Sequence, residues 1–173
     1  SAVTAHPAHG KRWSVRVLLE HMRSIGLALQ TVHALGIVHR DVNPSNIFVV
    51  GWTPERPHVE RLVLLDFGDA WAPKNITPLQ TYGTFTGMAH FDAPERVRGE
   101  SVTPASDIFS LAAVLYRFVY GHCPYHTSVH DKSGEAEVLE RAKRGEVHFP
   151  MNMPKTGIET PEAFRRFLRR ALS

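Results

Sequence analysis

The stretch that decides the fold is Val38–Asn46, with the sequence VHRDVNPSN, and the apolar run Ile47–Val50 follows it directly. It holds an aspartate and an asparagine five residues apart, on a proline-containing loop between an expected helix and an expected strand. At this spacing both side chains can face one small space, so that Asp41 accepts a proton while Asn46 helps to hold a cation. Taken alone, the stretch also fits an ordinary turn rich in Asn, Pro and Ser.

The composition is typical of a soluble globular chain that can bury a core. Of the 173 residues, 43% are hydrophobic and 21% are charged. A net charge of +3 and a pI near 9.2 slightly favour phosphate-bearing partners. The basic residues are spread out, which argues against nucleic acid as a partner. One cluster, on an expected terminal helix, is interpreted as a solvated face: Arg165, Arg166, Arg169 and Arg170.

Cysteine content and hydropathy predict a cytoplasmic protein. The single cysteine, Cys123, excludes an internal disulfide framework and favours a reducing compartment. The start of the chain is polar, unlike a signal peptide. The longest apolar run, Leu111–Tyr120, contains Arg117 and falls far short of the roughly 20 residues of a membrane span. A start without Met and an end within a helical pattern suggest a fragment.

The first half of the chain predicts a flexible lead-in, a helix and a β-hairpin. Residues 1–13 lack periodicity. Ser14 is a suitable N-cap for a helix that Gly36 ends at the C′ position. Its apolar face is expected to comprise Val17, Leu18, His21, Ile25, Ala28, Leu29 and Val32. The runs Ile47–Val50 and Leu62–Leu65 then predict the hairpin, joined by the loop 51–61.

The second expected strand ends in Asp66-Phe67-Gly68. An acidic residue at a strand end, followed by a conformationally permissive glycine, can project its carboxylate toward a metal ion. Residues 69–92 are rich in Thr, Pro and Gly and predict a long mobile loop, which Ala93-Pro94-Glu95 closes.

The second half of the chain predicts three helices. Ala105–Tyr120 is apolar on nearly all sides and is expected to be buried, with Thr103 or Ser106 as its cap and Gly121 as its end. Amphipathic helices follow at Glu135–Arg144 and Pro161–Leu172, the latter capped by Thr160. A metal site is a weaker alternative for four residues whose spacing matches no common zinc pattern: His122, Cys123, His126 and His130.

Together, these motifs resemble those of protein kinases. His39-Arg40-Asp41 with Asn46 is similar to the H-R-D-x-x-x-x-N catalytic loop, and DFG, APE and a G-x-x-P-Y sequence at 121–125 follow in the family's order. The resemblance covers Ser14 to Leu172 and is greatest to Ser/Thr kinases, including bacterial ones. It implies a mainly α fold, the C-terminal kinase lobe with a short β-hairpin at the catalytic loop. It further implies a partial kinase domain over 14–173, with catalytic loop 39–46 and activation segment 66–95.

The resemblance also implies roles for individual residues. Asp41 is the catalytic base, and Asn46 and Asp66 are ligands of the Mg²⁺ that bridges the ATP phosphates. Arg40 is the expected partner of a phosphate on the activation segment, for which the candidate hydroxyls are Thr77, Thr81, Tyr82, Thr84 and Thr86. Supporting roles are implied as well. His39 and Phe67 stack beneath the site, and Asp107 holds the backbone of the catalytic loop. Gly68 is the conformationally permissive glycine of DFG, and Glu95 is the APE glutamate, which pairs with an arginine in the family.

The sequence departs from the family pattern in three ways. Asn43 stands where Ser/Thr kinases have a lysine, and its amide can donate a hydrogen bond to the transferred phosphate but supplies no charge. Met88 stands where the family has the threonine that contacts that lysine. No Gly-rich loop, strand lysine or helix glutamate precedes residue 14, so the isolated chain is expected to be inactive without a kinase N-terminal lobe.

The expected function is therefore that of part of a kinase transferring the γ-phosphate of ATP to Ser or Thr of protein substrates. Asn43 and Met88 keep open a pseudokinase-like binding or scaffold module, which would bind ATP with magnesium without turnover. A small-molecule phosphotransferase is a third reading. Such enzymes generally resemble H-G-D rather than the H-R-D of this chain, and they lack the Thr-rich segment closing in A-P-E.

Overall fold

The computed structural model describes residues 15–51, 60–72, 89–127, 130, 133–151 and 161–173. Within them the chain is mainly helical, with one two-stranded sheet. The elements, in chain order, are α1 (Val15–Ala34), a 3₁₀ turn (Pro44–Asn46), β1 (Ile47–Val50), β2 (Arg61–Leu64), α2 (Pro94–Val97), α3 (Pro104–Tyr120), α4 (Glu135–Arg144) and α5 (Pro161–Ala171). No helix in this part of the chain has both the length and the apolar character needed to cross a membrane.

Helix α1 buries a narrower stripe than the sequence predicts. The buried side chains follow one another at spacings of four, three and four residues: Leu18, Met22, Ile25 and Leu29. Val17 and Ala28 lie beside this stripe and are exposed, and Met22 was not predicted on it. The predicted C′ role of Gly36 is confirmed, because it has φ 76° and Ile37 N donates to Val32 O at 3.0 Å.

The predicted β-hairpin is confirmed, with its second strand one residue earlier than expected. β1 and β2 are antiparallel, and Ile47 lies opposite Leu64. Beyond this pair, Leu65 N donates to Asn46 O at 2.8 Å. An isolated bridge joins Val38 to Trp71. Because Val38 directly precedes the HRD sequence and Trp71 closely follows DFG, this bridge holds the two motifs at one end of the hairpin.

Helix α3 is the most deeply buried element, as its composition predicts. It begins at N-cap Thr103, whose hydroxyl accepts from Ala105 N, while Ser106 Oγ accepts from Thr103 N, and Pro104 occupies the first helical position. It ends at Gly121, which has φ 81°. It packs against α1 and α5, and Asp107 in its first turn accepts hydrogen bonds from the backbone of the loop that follows α1.

The short helix α2 follows directly from the APE sequence and was not predicted, since four residues are too few to display periodicity. It packs against α4, and Arg98 Nη1 donates to Lys143 O at 2.8 Å. The boundaries of α4 agree with the prediction, whereas α5 ends one residue earlier than expected. The predicted caps Ser14 and Thr160 lie outside the described residues.

Candidate active site

The loop after α1 is held by one buried carboxylate from the first turn of α3. Asp107 is 1% exposed, and its Oδ2 and Oδ1 accept from His39 N and Arg40 N, each at 2.8 Å. Oδ2 also lies 2.7 Å from His33 Nε2. Arg40 has φ 71°, an unfavourable conformation for a residue with a Cβ, which these bonds hold in place. Asp107 therefore contacts the loop backbone in the way expected of it, and His33 is a partner that the sequence did not indicate.

Two side-chain amides hold the carboxylate of Asp41. Asn43 Nδ2 donates to Asp41 Oδ1 at 2.8 Å, and Asn46 Nδ2 donates to Asp41 Oδ2 at 2.6 Å. Asn46 Nδ2 also lies 2.9 Å from the carbonyl oxygen of Asp41. The structure thus places Asp41, Asn43 and Asn46 together, and it directs the Asn43 amide at the aspartate.

Two oxygen ligands suited to a hard cation lie at the same end of the hairpin. Because its amide nitrogen faces Asp41, Asn46 presents Oδ1 on the other side, where it forms no hydrogen bond with any described residue. Asp66 follows Leu65, the backbone partner of Asn46. Carboxylate and amide oxygens are the ligands that Mg²⁺ prefers, so this pair fits that ion.

The DFG sequence holds its aspartate in an unusual conformation. Asp66 has φ 62°, and its Oδ1 accepts from Gly68 N at 2.9 Å. A Cβ on residue 68 would lie 2.9 Å from that same oxygen, which is closer than real Cβ atoms approach. An added Cβ at residue 68 would therefore require the Asp66 carboxylate to shift from its bond with the backbone, which glycine avoids.

The buried side chain of His39 contacts both the HRD loop and the DFG sequence. It is fully buried, its Nε2 lies 3.1 Å from Leu65 O, and its Nδ1 accepts from Asp41 N at 3.3 Å. Its ring meets that of Phe67 edge-on, with centroids 4.5 Å apart. Burial lowers the pKa of His39 despite the nearby Asp107, so the ring is neutral, with its proton on Nε2.

A buried ion pair that the sequence did not indicate lies between the DFG and APE sequences. Asp92 is 5% exposed, and its Oδ1 is 3.1 Å from Arg96 Nε. Arg96 Nη2 is 3.7 Å from Asp69 Oδ2. Burial raises the pKa of Asp92 to about 7, although Arg96 opposes that rise. One guanidinium therefore joins residues near both ends of the activation segment.

The APE glutamate is anchored to α3. Ser106 Oγ donates to Glu95 Oε1 at 2.6 Å, and Ser106 Oγ also accepts from Thr103 N. In addition, Tyr125 Oη donates to Asp92 O at 2.7 Å. Ser106 thus caps α3 and ties the end of the activation segment to it, a second role that its capping position does not reveal.

The other predicted residues either have separate side-chain neighbours or lie outside the described residues. Arg40 Nε is buried without a hydrogen-bond partner among the described residues. Five candidate hydroxyls and Met88 fall outside that part of the chain: Thr77, Thr81, Tyr82, Thr84 and Thr86. The His and Cys residues after α3 have separate neighbours, since Cys123 Sγ lies 3.2 Å from Arg117 Nη1 and His126 Nε2 lies 3.1 Å from His90 Nδ1.

The central helix of this helical lobe holds an HRD loop beside a hairpin that ends in DFG. This arrangement defines the C-terminal lobe of a protein kinase. Residues 5–173 match the family model for the protein kinase domain. The chain belongs to this family.

Bacterial Ser/Thr kinases are among the relatives. The chain is 40% identical over 114 residues to serine/threonine-protein kinase PknA of Mycobacterium tuberculosis, covering 66% of this chain and 25% of the relative. It is 35% identical over 133 residues to PknD of the same species, covering 77% of this chain and 19% of the relative. It is 41% identical over 103 residues to AfsK of Streptomyces griseus, covering 59% of this chain and 12% of the relative. The chain thus spans a quarter or less of these relatives' length.

Proposed function

We propose that the full-length protein is a Ser/Thr protein kinase that transfers the γ-phosphate of ATP to protein hydroxyls. The observation that carries this proposal is the Asp41 carboxylate, held at both oxygens by Asn43 and Asn46. Asp41 accepts the proton of the substrate hydroxyl as the new P–O bond forms. The similarity to bacterial Ser/Thr kinases supports the choice of substrate class.

Asn46 and Asp66 are the residues that would hold Mg²⁺ with ATP. When bound, the ion neutralises charge on the phosphates. This chain's own contribution is to fix the ligands, because Asn46 is tied to Asp41 and Asp66 to Gly68 N. Phosphoryl transfer depends on alignment and charge cancellation, so fixed oxygen ligands and a fixed base are the parts required.

Arg40 is the proposed binding residue for a phosphate on the activation segment. The buried Arg40 Nε, which lacks a hydrogen-bond partner among the described residues, supports Arg40 as the partner of a phosphorylated hydroxyl on the activation segment.

Large apolar side chains are exposed near the hairpin and support docking of a kinase N-terminal lobe there: Phe48, Leu65, Phe67 and Trp71. The single cysteine, buried in the structure, supports a cytoplasmic location for this domain.

The test of the proposed base is Asp41→Asn in the full-length protein, with ATP, Mg²⁺ and a generic protein substrate. Loss of a general base is expected to lower kcat by about 10²- to 10⁴-fold. Glu100→Gln is the matched control, since Glu100 is an exposed carboxylate that pairs with the nearby Arg98. Equal rates for Asp41→Asn and the wild type would refute the assignment.

A pseudokinase-like binding module is the second candidate, favoured by one observation. The Asn43 amide is neutral and bonded to Asp41, so position 43 brings no positive charge to a transferring phosphate. This function predicts Mg²⁺-dependent ATP binding by the full-length protein, measured by calorimetry, without phosphorylation of itself or of protein substrates.

A further inference from the structure

The orientation of the Asn43 side chain follows from its two neighbours. Its Oδ1 accepts from Ser45 N at 2.8 Å, and a backbone N–H can only donate, so the oxygen must face Ser45. The Nδ2 group must then face Asp41, where it lies 2.8 Å from Oδ1 and 3.4 Å from the carbonyl oxygen. The backbone of the 3₁₀ turn therefore determines which end of the amide meets the aspartate.

This orientation restricts the carboxylate of Asp41. With Asn43 on Oδ1 and Asn46 on Oδ2, the group cannot rotate without losing a hydrogen bond to one of the amides. Each carboxylate oxygen has a second lone pair, so the carboxylate can still accept a proton. Since Asn46 is also the expected metal ligand, Asn43 is the partner whose bond to Asp41 is independent of a cation.

We propose that Asn43 is a positioning residue for Asp41, which fixes the direction of the base through a neutral amide aligned by Ser45. The inference rests on the proposed function and deepens it, because it states how this site orients its base. Asn43 acts through Asp41, whereas a purely structural role would consist of capping the 3₁₀ turn at Pro44–Asn46.

Two variants of the full-length protein separate these roles. Asn43→Ser keeps a hydroxyl acceptor for Ser45 N but is too short to donate to Asp41, and Asn43→Ala loses both contacts. Positioning predicts that kcat falls by about 10- to 100-fold in both variants, with KM values changed less than about threefold. Full kcat in Asn43→Ser with loss only in Asn43→Ala would overturn the proposal in favour of capping.

The Asp41→Ala background supplies the second kinetic test. If Asn43 acts through Asp41, Asn43→Ser has no further effect on the residual rate of Asp41→Ala. Independent, multiplied losses would overturn the proposal. If the wild type instead transfers no phosphate, the proposed function has failed, and a measurement that needs no activity decides the positioning role.

That measurement is the solvent exchange of the Asn43 side-chain NH₂ protons in full-length protein labelled with ¹⁵N-asparagine. A direct hydrogen bond predicts that these protons exchange more slowly in the wild type than in Asp41→Ala. Equal exchange rates in the two proteins would overturn the inference whether or not the protein is a kinase.

Discussion

Burial changes the pKa of one carboxyl group near the site, that of Asp92. Its pKa rises to about 7 from an ordinary value of 3.8, because few water molecules reach it and one guanidinium only partly compensates. A carboxyl whose pKa is raised in the folded state stabilises the fold at low pH and loses that contribution as the pH rises through about 7.

Replacing this carboxyl should flatten the pH dependence of stability. Between pH 4 and pH 8, the free energy of unfolding of the wild type is expected to fall by on the order of 3 to 4 kcal/mol because of Asp92. Asp92→Asn should abolish this fall. Urea unfolding at a series of pH values measures it, as the difference between variant and wild type. Asp69→Asn removes the other carboxylate partner of Arg96. If both variants flatten the curve alike, the cause is repulsion between the two carboxylates beside Arg96 rather than burial of Asp92.

Some residues of the site could be predicted from the sequence, and others could not. The resemblance to kinase motifs predicted Asp41, Asn46, Asp66 and Asp107 as a group. Ser106 belongs to no such motif, since its contact with Glu95 arises only when the end of the activation segment packs on α3. Asp92 and Arg96 are four residues apart, but this spacing does not reveal that their ion pair is buried. The sequence HFDAPER places Asp92 beside apolar residues, but only the structure shows that its carboxylate is buried.

Helix α4 offers a comparison of two glycines at opposite ends of one element. Gly145 follows the helix with φ 66°, and an added Cβ would lie 3.4 Å from Pro94 Cγ. Gly134 precedes it with φ −69°, and an added Cβ would meet nothing within 4 Å. The backbone thus requires glycine at the C-terminal end of α4 and tolerates other residues at the N-terminal end.

Alanine at these positions is expected to have unequal effects. Gly145→Ala should lower the free energy of unfolding by about 1 to 2 kcal/mol, because a left-handed conformation is costly for a residue with a Cβ. Gly134→Ala should stay within about 0.5 kcal/mol of the wild type. Thermal and chemical unfolding measure both variants, and equal destabilisation would contradict the left-handed cap.

For the elements, prediction succeeded where periodicity extends over several turns. The helices α3, α4 and α5 were predicted to within one residue at the ends that the structure describes. α2 was missed because four residues give no periodic signal. β2 was placed one residue late, because Arg61 pairs with Val50 although it is polar and exposed.

On the scale of the whole molecule, large apolar side chains near the hairpin are exposed, and we expect another part of the protein to cover them. Phe67 is 46% exposed and Trp71 is 42% exposed, although both lie beside the site. The proposed N-terminal lobe would cover them, since apolar groups are stabilised by removal from water.

Hydroxyl-radical footprinting tests this arrangement on the 173-residue chain and on the full-length protein. Phe67 and Trp71 are expected to be modified several-fold less in the full-length protein. Phe167, 53% exposed on α5, is the matched control and should react equally in both. Equal modification of Phe67 and Trp71 in the two proteins would show that nothing covers this surface.

The sequence by itself determined the family, the order of the motifs and most of the elements, because these depend on residues close together in the chain. Only the tertiary structure decided which further residues contact the motifs. His33 meets Asp107 across 74 positions, and the environment of Asp92 depends on the packing of the segment around it. Such contacts leave no periodic trace in the sequence, because folding brings the partners together from distant positions and removes water between them.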